Sequence, residues 1–511
     1  MTATVPVAEQ GKSAVLKPAL LLMFGRTLAF AATFFIPVVL ARVFDPAHFG
    51  AYKQLFLVQS TVHLIGQIGM ATSLYYFLPL APRDAGRYVA NSLIFLGGAG
   101  MAGCAAVILG ARQVSSWLSN GELSHFLPWI GFYLLFTIPA ASFEIVLVSR
   151  GKYLWASATY ALSDFARAAA SILPVLLFHD LELLLKANVA AAALRLAIAV
   201  IYFRSEFGTS LRPDRKLLRQ QLAYCLPFSV AVLVEILQWN LPQYAVSHLT
   251  DPATFAIFAV GCLSIPLVDF AASPASDVMM VKMQENLAEG RLRTVLDIWH
   301  DTTWKLSLLF FPLVAVVVVL AHEFILLLFT AKYAASIPLF MVWSSLILLT
   351  TLQVDGVLRV FAQTRLILVL NLMRLAIIGG LIQWSLTAFH LLGPVLVIVF
   401  ATLAFKVGAL VRMKTLLQVP LRELLPWKNL ARLAGASIGA AAVAFGVKSQ
   451  LTAGLLIVIA AASAAYILAY VFCVWCFQLL QESERSAIAT RVERITGSVA
   501  QVLALAKGRV S

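Results

Sequence analysis

The sequence predicts an all-α, polytopic membrane protein with about fourteen transmembrane helices. Three observations carry that expectation. Hydrophobic residues make up 61 % of the 511 and only 12 % are charged, and the mean hydropathy is +0.90; a water-facing surface cannot be built from such a composition. The apolar residues fall into stretches long enough to cross ~30 Å of hydrocarbon. One loop between such stretches occurs twice, as Asp45-Pro46-Ala47-His48-Phe49-Gly50 and as Asp251-Pro252-Ala253-Thr254-Phe255-Ala256. About six spans separate the copies, so the chain reads as two related halves.

In each copy Pro stops one helix, Asp accepts from free N–H groups of the next, and Phe is expected to anchor the re-entry at the membrane interface. The first span, 17–42, is interrupted by Arg26 and runs past the length of a signal-peptide core, so it is expected to stay in the mature chain. Spans 51–79, 88–111, 124–148, 154–178 and 181–203 complete the first half. The third contains Gly97, Gly98, Gly100 and Gly103, which read as close helix contact. Arg204 to Pro213 is polar, basic and rich in breakers, the natural link between halves. A second long inner connection is expected at 281–303.

Spans 220–247 and 254–280 flank the second copy of the loop, and 304–329, 335–357, 366–389 and 391–411 follow. His322-Glu323 begins a zinc-protease pattern, but Leu326 stands where the second His is required. Spans 429–447 and 453–479 lie outside the repeat. Cys473 and Cys476 have the spacing of a redox or metal pair without a second pair, and they lie inside a span, where packing is the expected role. Beyond about 480, Ile488, Val492, Ile495, Val499 and Val502 recur at helical spacing with Arg485, Arg491 and Arg494 among them. That predicts an amphipathic helix on the inner leaflet, against a partner, or solvated under the bundle. The expected organisation is a six-helix lobe at 1–204, a cytoplasmic linker at 205–219, a second lobe at 220–411, an extra helix pair at 412–480 and a tail at 481–511. Six helices per half give both copies one orientation, hence a pseudo-two-fold along the membrane normal.

With the N-terminus inside, inner segments collect about 27 basic residues against six outside, namely Arg42, Lys53, Arg112, Lys186, Lys332 and Lys448. Both termini are therefore expected in the cytoplasm. This scatter over short loops also accounts for the net charge of +14 without nucleic acid.

Ionisable residues at mid-span are costly, at about 2.5–3.5 kcal/mol each on insertion scales, and normally face protein or a watery cavity. They are Arg26, Glu144, Asp164, Arg167 and Arg195, then Glu235, Asp269, Asp355, Arg374 and Lys406. Arg26, Arg167, Arg195 and Arg374 are permanent cations whose forks match phosphate oxygens. Two have a plainer reading: Asp164 and Arg167 are one turn apart and could neutralise each other, and Arg26 could snorkel, whereas Arg195 has no partner within one turn in sequence and is expected in a cavity. Lys406 is expected to snorkel to the inner interface. Glu144 and Asp355 have Arg150 and Arg359 close by in sequence and are expected to pair with them. Glu235 and Asp269 flank the second loop with no basic neighbour and are candidate coupling-ion sites, as is Asp164. No P-loop, dinucleotide fingerprint or nucleophile elbow occurs. Catalytic residues, metal ligands and cofactors are not expected.

The stretch Leu40-Ala41-Arg42-Val43-Phe44-Asp45-Pro46-Ala47-His48-Phe49-Gly50-Ala51-Tyr52 resembles the opening of polysaccharide-export flippases. So do Gly66 to Phe77 and Leu328-Phe329-Thr330-Ala331-Lys332-Tyr333. These flippases are the Wzx-like members of the multidrug/oligosaccharidyl-lipid/polysaccharide (MOP) superfamily. Thr330 departs from the pattern, standing where Gly is common. The resemblance implies a bacterial inner-membrane flippase, not an enzyme, that moves an undecaprenyl-diphosphate-linked oligosaccharide outward. Its implied partners are the lipid-linked oligosaccharide, the membrane, glycan polymerase and glycosyltransferases. Arg26, Arg167, Arg195 and Arg374 would then hold the head group. An ion-coupled drug antiporter on the same fold, or a non-transporting scaffold for glycan assembly, are the alternatives.

Overall fold

The computed structural model describes the backbone of residues 7–477; the side chains of 7–22, 24, 26, 227–228 and 230–232 lie outside the described set. The expected tail helix at 481–511 also lies outside the described residues. Every regular element among the described residues is a helix; besides short 3-10 turns at Gly208–Ser210 and Ala331–Ser336, these are α-helices. In chain order they are α1 (Val7–Val43), α2 (Pro46–Gln67), α3 (Met70–Leu80), α4 (Ala85–Leu109), α5 (Ala111–Trp117), α6 (Leu123–Ala140), α7 (Phe143–Ser149), α8 (Tyr153–Phe178), α9 (Leu181–Phe207), α10 (Arg215–Leu249) and α11 (Pro252–Gly261). There follow α12 (Pro266–Ala288), α13 (Leu292–Val319), α14 (Ala321–Phe329), α15 (Ile337–Ser344), α16 (Leu346–Thr350), α17 (Val354–Val360), α18 (Thr364–Phe389), α19 (Leu392–Leu417), α20 (Leu421–Leu424), α21 (Trp427–Gln450) and α22 (Leu455–Cys476).

Eleven segments among the described residues are long and apolar enough to cross a membrane, or twelve if Pro252–Gly261 and Pro266–Ala288 are one broken span. This is a multi-pass membrane protein. Two more expected spans, 17–42 and 220–247, fall on α1 and α10, which carry side chains outside the described set. By contact the chain divides into two compact units. The first holds the chain up to Leu263, with Leu328–Trp343 and Leu368–Phe405; the second holds Ser264–Leu327, Ser344–Ile367 and the chain from Lys406 onward.

The first unit is built around the duplicated loop. Asp45 accepts from the N–H of His48 at 2.8 Å and Asp251 from that of Thr254 at 3.0 Å, with the same extended backbone at both caps and Pro at the start of each helix. Phe49 and Phe255 are fully buried, which corrects the expectation that the rings are exposed as interface anchors: Phe49 packs on Tyr52 and Tyr333, and Phe255 joins a cluster with Leu57 of α2. Gly50 lies so close to the second copy that a Cβ there would come within 1.9 Å of the Pro252 carbonyl oxygen. Tyr333, also fully buried, meets the edge of Phe49 at 5.7 Å between ring centroids. Thr330, just before it, has φ of 75°, a conformation open to glycine but strained for a β-branched residue. That is the physical reason for the Gly common at this place in the family pattern.

Cap chemistry makes the loops pH-sensitive. The His48 N–H, with the ring of the same residue, holds the Asp45 carboxyl below its ordinary range. The Thr254 hydroxyl and N–H do the same for Asp251. A lowered carboxylate pKa adds stability that is fully present above the ordinary value of about 3.9 and is lost as pH falls through the lowered one. Asp251→Ala should therefore cost about 1 kcal/mol at neutral pH. Melting curves in detergent should show the wild type and the variant converging below about pH 4; a gap that persists there would contradict the cap assignment.

Small residues set the close helix approaches, in part where expected. A Cβ on Gly100 would meet the Leu135 carbonyl at 3.0 Å and one on Gly131 the Cys104 carbonyl at 3.1 Å, so α4 and α6 pack backbone to backbone. Gly97 and Gly98 have nothing within 4 Å, so the contact reading fails for them. The link between halves is shorter and firmer than expected: helix persists to Phe207 and resumes at Arg215. Asn91 of α4 pins it, accepting from the N–H of Asp214 at 2.9 Å and donating to its carbonyl at 3.0 Å.

In the second unit the expected inner connection at 281–303 is mostly helix. Only residues 289–291 separate α12 from α13, because a charged helix can continue into water once past the bilayer. Trp299 is fully buried and its indole donates to the Leu424 carbonyl at 2.9 Å. Ala440, Ala444 and Tyr466 form the contact of α21 with α22. Lys448 pairs with buried Glu323 at 2.8 Å. Asp355 pairs with Lys406 at 3.3 Å rather than with Arg359, and Lys406 also donates to the Leu352 carbonyl at 2.8 Å. That correction has a simple cause: Lys406 is held by acceptors within reach and has no need to snorkel.

A candidate anion site in the first unit

Five elements of the first unit carry a polar cluster into an otherwise apolar bundle. The α6 helix ends beyond Pro139 and the chain restarts as α7 at Phe143, which places Glu144 in the first turn of a short helix. Its side chain is 3 % exposed, and Arg195, midway along α9, reaches it from a side chain 32 % exposed. One terminal nitrogen, Nη2, donates to both carboxylate oxygens at 2.8 Å. The partner expected for Glu144, Arg150, is instead held with Lys152 by Glu206. Fifty-one residues separate Glu144 from Arg195, so local spacing could not have paired them.

On α8, Arg167 pairs with Asp164 one turn away at 2.9 Å. The two pairs are near neighbours, since Arg195 also feels the charge of Asp164 and the phenol of Tyr133 on α6. His63 on α2 lies within reach of the charges of both Arg195 and Arg167, and Arg167 is likewise felt at Tyr52. His63 was absent from the sequence-derived candidates, although Gln59, Ser60, Thr61 and His63 make one polar stretch inside a span. The formal charges of the two pairs cancel. What distinguishes the cluster is that, among the described residues, Nε–H of Arg167, Nε–H of Arg195 and the ring Nδ1 of His63 are buried with no hydrogen-bond partner. Buried polar groups are costly unless they are hydrogen-bonded. The carboxylates fix the guanidinium planes and leave part of each fork free for oxygens of a ligand.

The other expected site residues are placed as follows. Arg26 lies on α1, but its side chain is outside the described residues. Arg374 on α18 sits with Nη1 3.5 Å from the Gln238 carbonyl-type oxygen and its guanidinium 5.4 Å from the centre of the Trp239 ring. Glu235, on α10 of the first unit, and Asp269, in the first turn of α12 in the second, are both exposed. Arg167, Arg195 and Asp164 are therefore brought together, with Glu144 and His63 added.

The fold is shared with solved transporters. The structure of the lipid II flippase MurJ in an inward closed conformation superposes with a TM-score of 0.71 at 12 % identity, over 90 % of this chain and 98 % of that one. An inward-facing multidrug resistance MATE family transporter of the MOP superfamily gives 0.61 at 13 % identity, over 76 % and 95 %. A MOP superfamily transporter from Pyrococcus furiosus, described as having a binding pocket of reverse polarity, gives 0.54 at 14 %, over 80 % and 97 %. No curated protein matches the sequence. The family described as "Polysaccharide biosynthesis protein" matches residues 39–338, more than half of the chain. With its duplicated loop, its many spans and this match, the chain belongs to that family of polysaccharide biosynthesis proteins and has the MOP superfamily fold.

Proposed function

We propose that this protein is a flippase that carries an undecaprenyl-diphosphate-linked oligosaccharide from the cytoplasmic to the outer leaflet of the bacterial inner membrane, with both termini in the cytoplasm. The observation that carries the reading is the Arg195–Glu144 clamp beside Arg167, with two buried guanidinium Nε–H groups that have no partner among the described residues. A sugar–diphosphate head cannot cross ~30 Å of hydrocarbon unaided, whereas a polyprenyl tail is at home there. The task of such a protein is therefore to give the head a polar path, not to do covalent chemistry. On this reading Arg195 and Arg167 donate to diphosphate oxygens, Arg26 and Arg374 extend the same role, and Glu235, Asp269 and Asp164 exchange the coupling ion.

The test is transport of a lipid-linked glycan in proteoliposomes and surface polysaccharide in cells lacking the native gene. One charge-assisted hydrogen bond is worth roughly 1.5–3 kcal/mol, so Arg195→Gln and Arg167→Gln should each slow flipping about tenfold or more. Arg195→Lys should recover only part, because a point charge lacks the fork. Transport at the wild-type rate in both Gln variants would sink the reading. Intact glycans with new sensitivity to cationic drugs would replace it with an antiporter.

A further inference from the structure

At the end of the first unit opposite its basic loops lies an open cavity of about 360 Å³. It is lined by Thr250 and Thr254, by Gln383, Thr387 and His390, and by three leucines. Gln383, Leu386 and Thr387 are spaced i, i+3 and i+4 on one face at the end of α18, and His390, just past that end with φ of 51°, completes the wall. The other wall is the end of α10 and the first turn of α11, which the Asp251 cap holds in place.

The chemistry of this lining is one-sided. The Thr250 hydroxyl donates to the Val246 carbonyl at 2.7 Å, that of Thr387 to the Trp384 carbonyl at 2.7 Å, and that of Thr254 to the Asp251 carboxylate at 2.6 Å. Each hydroxyl hydrogen is thus committed, and each oxygen offers only lone pairs. The side chains of Gln383 and His390 make no hydrogen bond to protein among the described residues; they add an amide, which both donates and accepts, and an imidazole. Among the described residues no Lys, Arg, Asp or Glu lines the cavity. Neither a phosphate nor a cation would therefore find an opposite formal charge in the lining, whose polar groups offer three hydroxyl acceptors, an amide and an imidazole. A neutral molecule rich in O–H donors fits, with apolar C–H faces to lie against leucine.

We propose that this cavity is a carbohydrate subsite that takes one sugar ring of the glycan. The proposal rests on the flippase reading, under which this end of α10 and α18 faces outward, since Arg212, Arg215, Lys216 and Arg219 flank the other end of α10 and Arg365 that of α18. The subsite holds the glycan after the diphosphate has passed the arginines and biases release outward.

The experiment uses the purified full chain in detergent, with saturation-transfer NMR against glucose, galactose, mannose and N-acetylglucosamine. At least one should bind saturably. The Gln383→Leu/Thr387→Val double variant and His390→Leu should each weaken that binding tenfold or more, with melting temperatures within a few degrees of wild type. Arg195→Gln should bind the sugar undiminished. Failure of all four sugars to bind, equal binding by the double variant, or displacement of the sugar by inorganic phosphate would overturn the proposal. Because binding is read without transport, loss of the flippase reading, in which Arg195→Gln still flips lipid normally, is distinguishable from loss of the subsite.

Discussion

Glu144→Ala is expected to be among the most damaging single substitutions in this chain, costing about 3–5 kcal/mol. Glu144 is almost fully buried and receives both hydrogen bonds from one nitrogen of Arg195. Removing the acid leaves a guanidinium that cannot lose its proton and has lost both of its hydrogen bonds to the carboxylate. Arg195→Met alone strands the carboxylate, which can take up a proton, so it should cost less. The double variant Glu144→Leu/Arg195→Met should regain most of the stability, since replacing a buried pair with apolar groups is often neutral. Thermal unfolding in detergent across the four proteins measures the coupling. A coupling near zero would mean that the pair contributes no more than an exposed salt bridge. Transport should stay lost in the double variant, which separates the fold from the function of Arg195.

Gly50→Val should disrupt the first unit at its centre. A Cβ at Gly50 would stand 1.9 Å from the Pro252 carbonyl oxygen and 2.6 Å from its carbon. These are backbone atoms in the first turn of a capped helix, not the far end of a flexible side chain, so α2 and α11 must separate. Overpacking costs typically 1–3 kcal/mol where side chains can adjust; here the helices must move, and Phe49, Phe255 and Tyr333 lose their packing with them. The expected result is loss of folded protein from membranes, read by size-exclusion of a fluorescent fusion. A monodisperse peak at wild-type yield would show that the contact is softer than its geometry indicates.

Hydropathy made the fold legible because a membrane imposes one length and one chemistry on every span. The caps were legible too, since Asp-Pro before an apolar run admits few structures. Extent was harder: the polar run at 281–303 looked like a loop, but lack of apolar residues marks the edge of the bilayer, not the end of a helix. Pairing was the least legible. Asp164 and Arg167 could be paired from spacing, whereas Glu144 chose Arg195 over Arg150, and Asp355 chose Lys406 over Arg359. Those choices depend on which helices are neighbours, and apolar helices carry little in sequence that says so. His63 was missed for the same reason, for a lone imidazole gains meaning only from what surrounds it.

The contact of Gly50 with Pro252 also bears on how a duplicated chain diverges. An exact two-fold would bring position 256 against Pro46 as tightly as position 50 meets Pro252. Residue 256 is alanine, whose methyl group forbids that approach. A dimer of identical half-length chains would need glycine at both places or at neither. Fusion into one polypeptide lifts that requirement, and each copy can then drift toward its own neighbour. The Asp that caps and the Pro that starts act within each copy and are free to stay alike, whereas positions 50 and 256, where the copies touch, have come to differ.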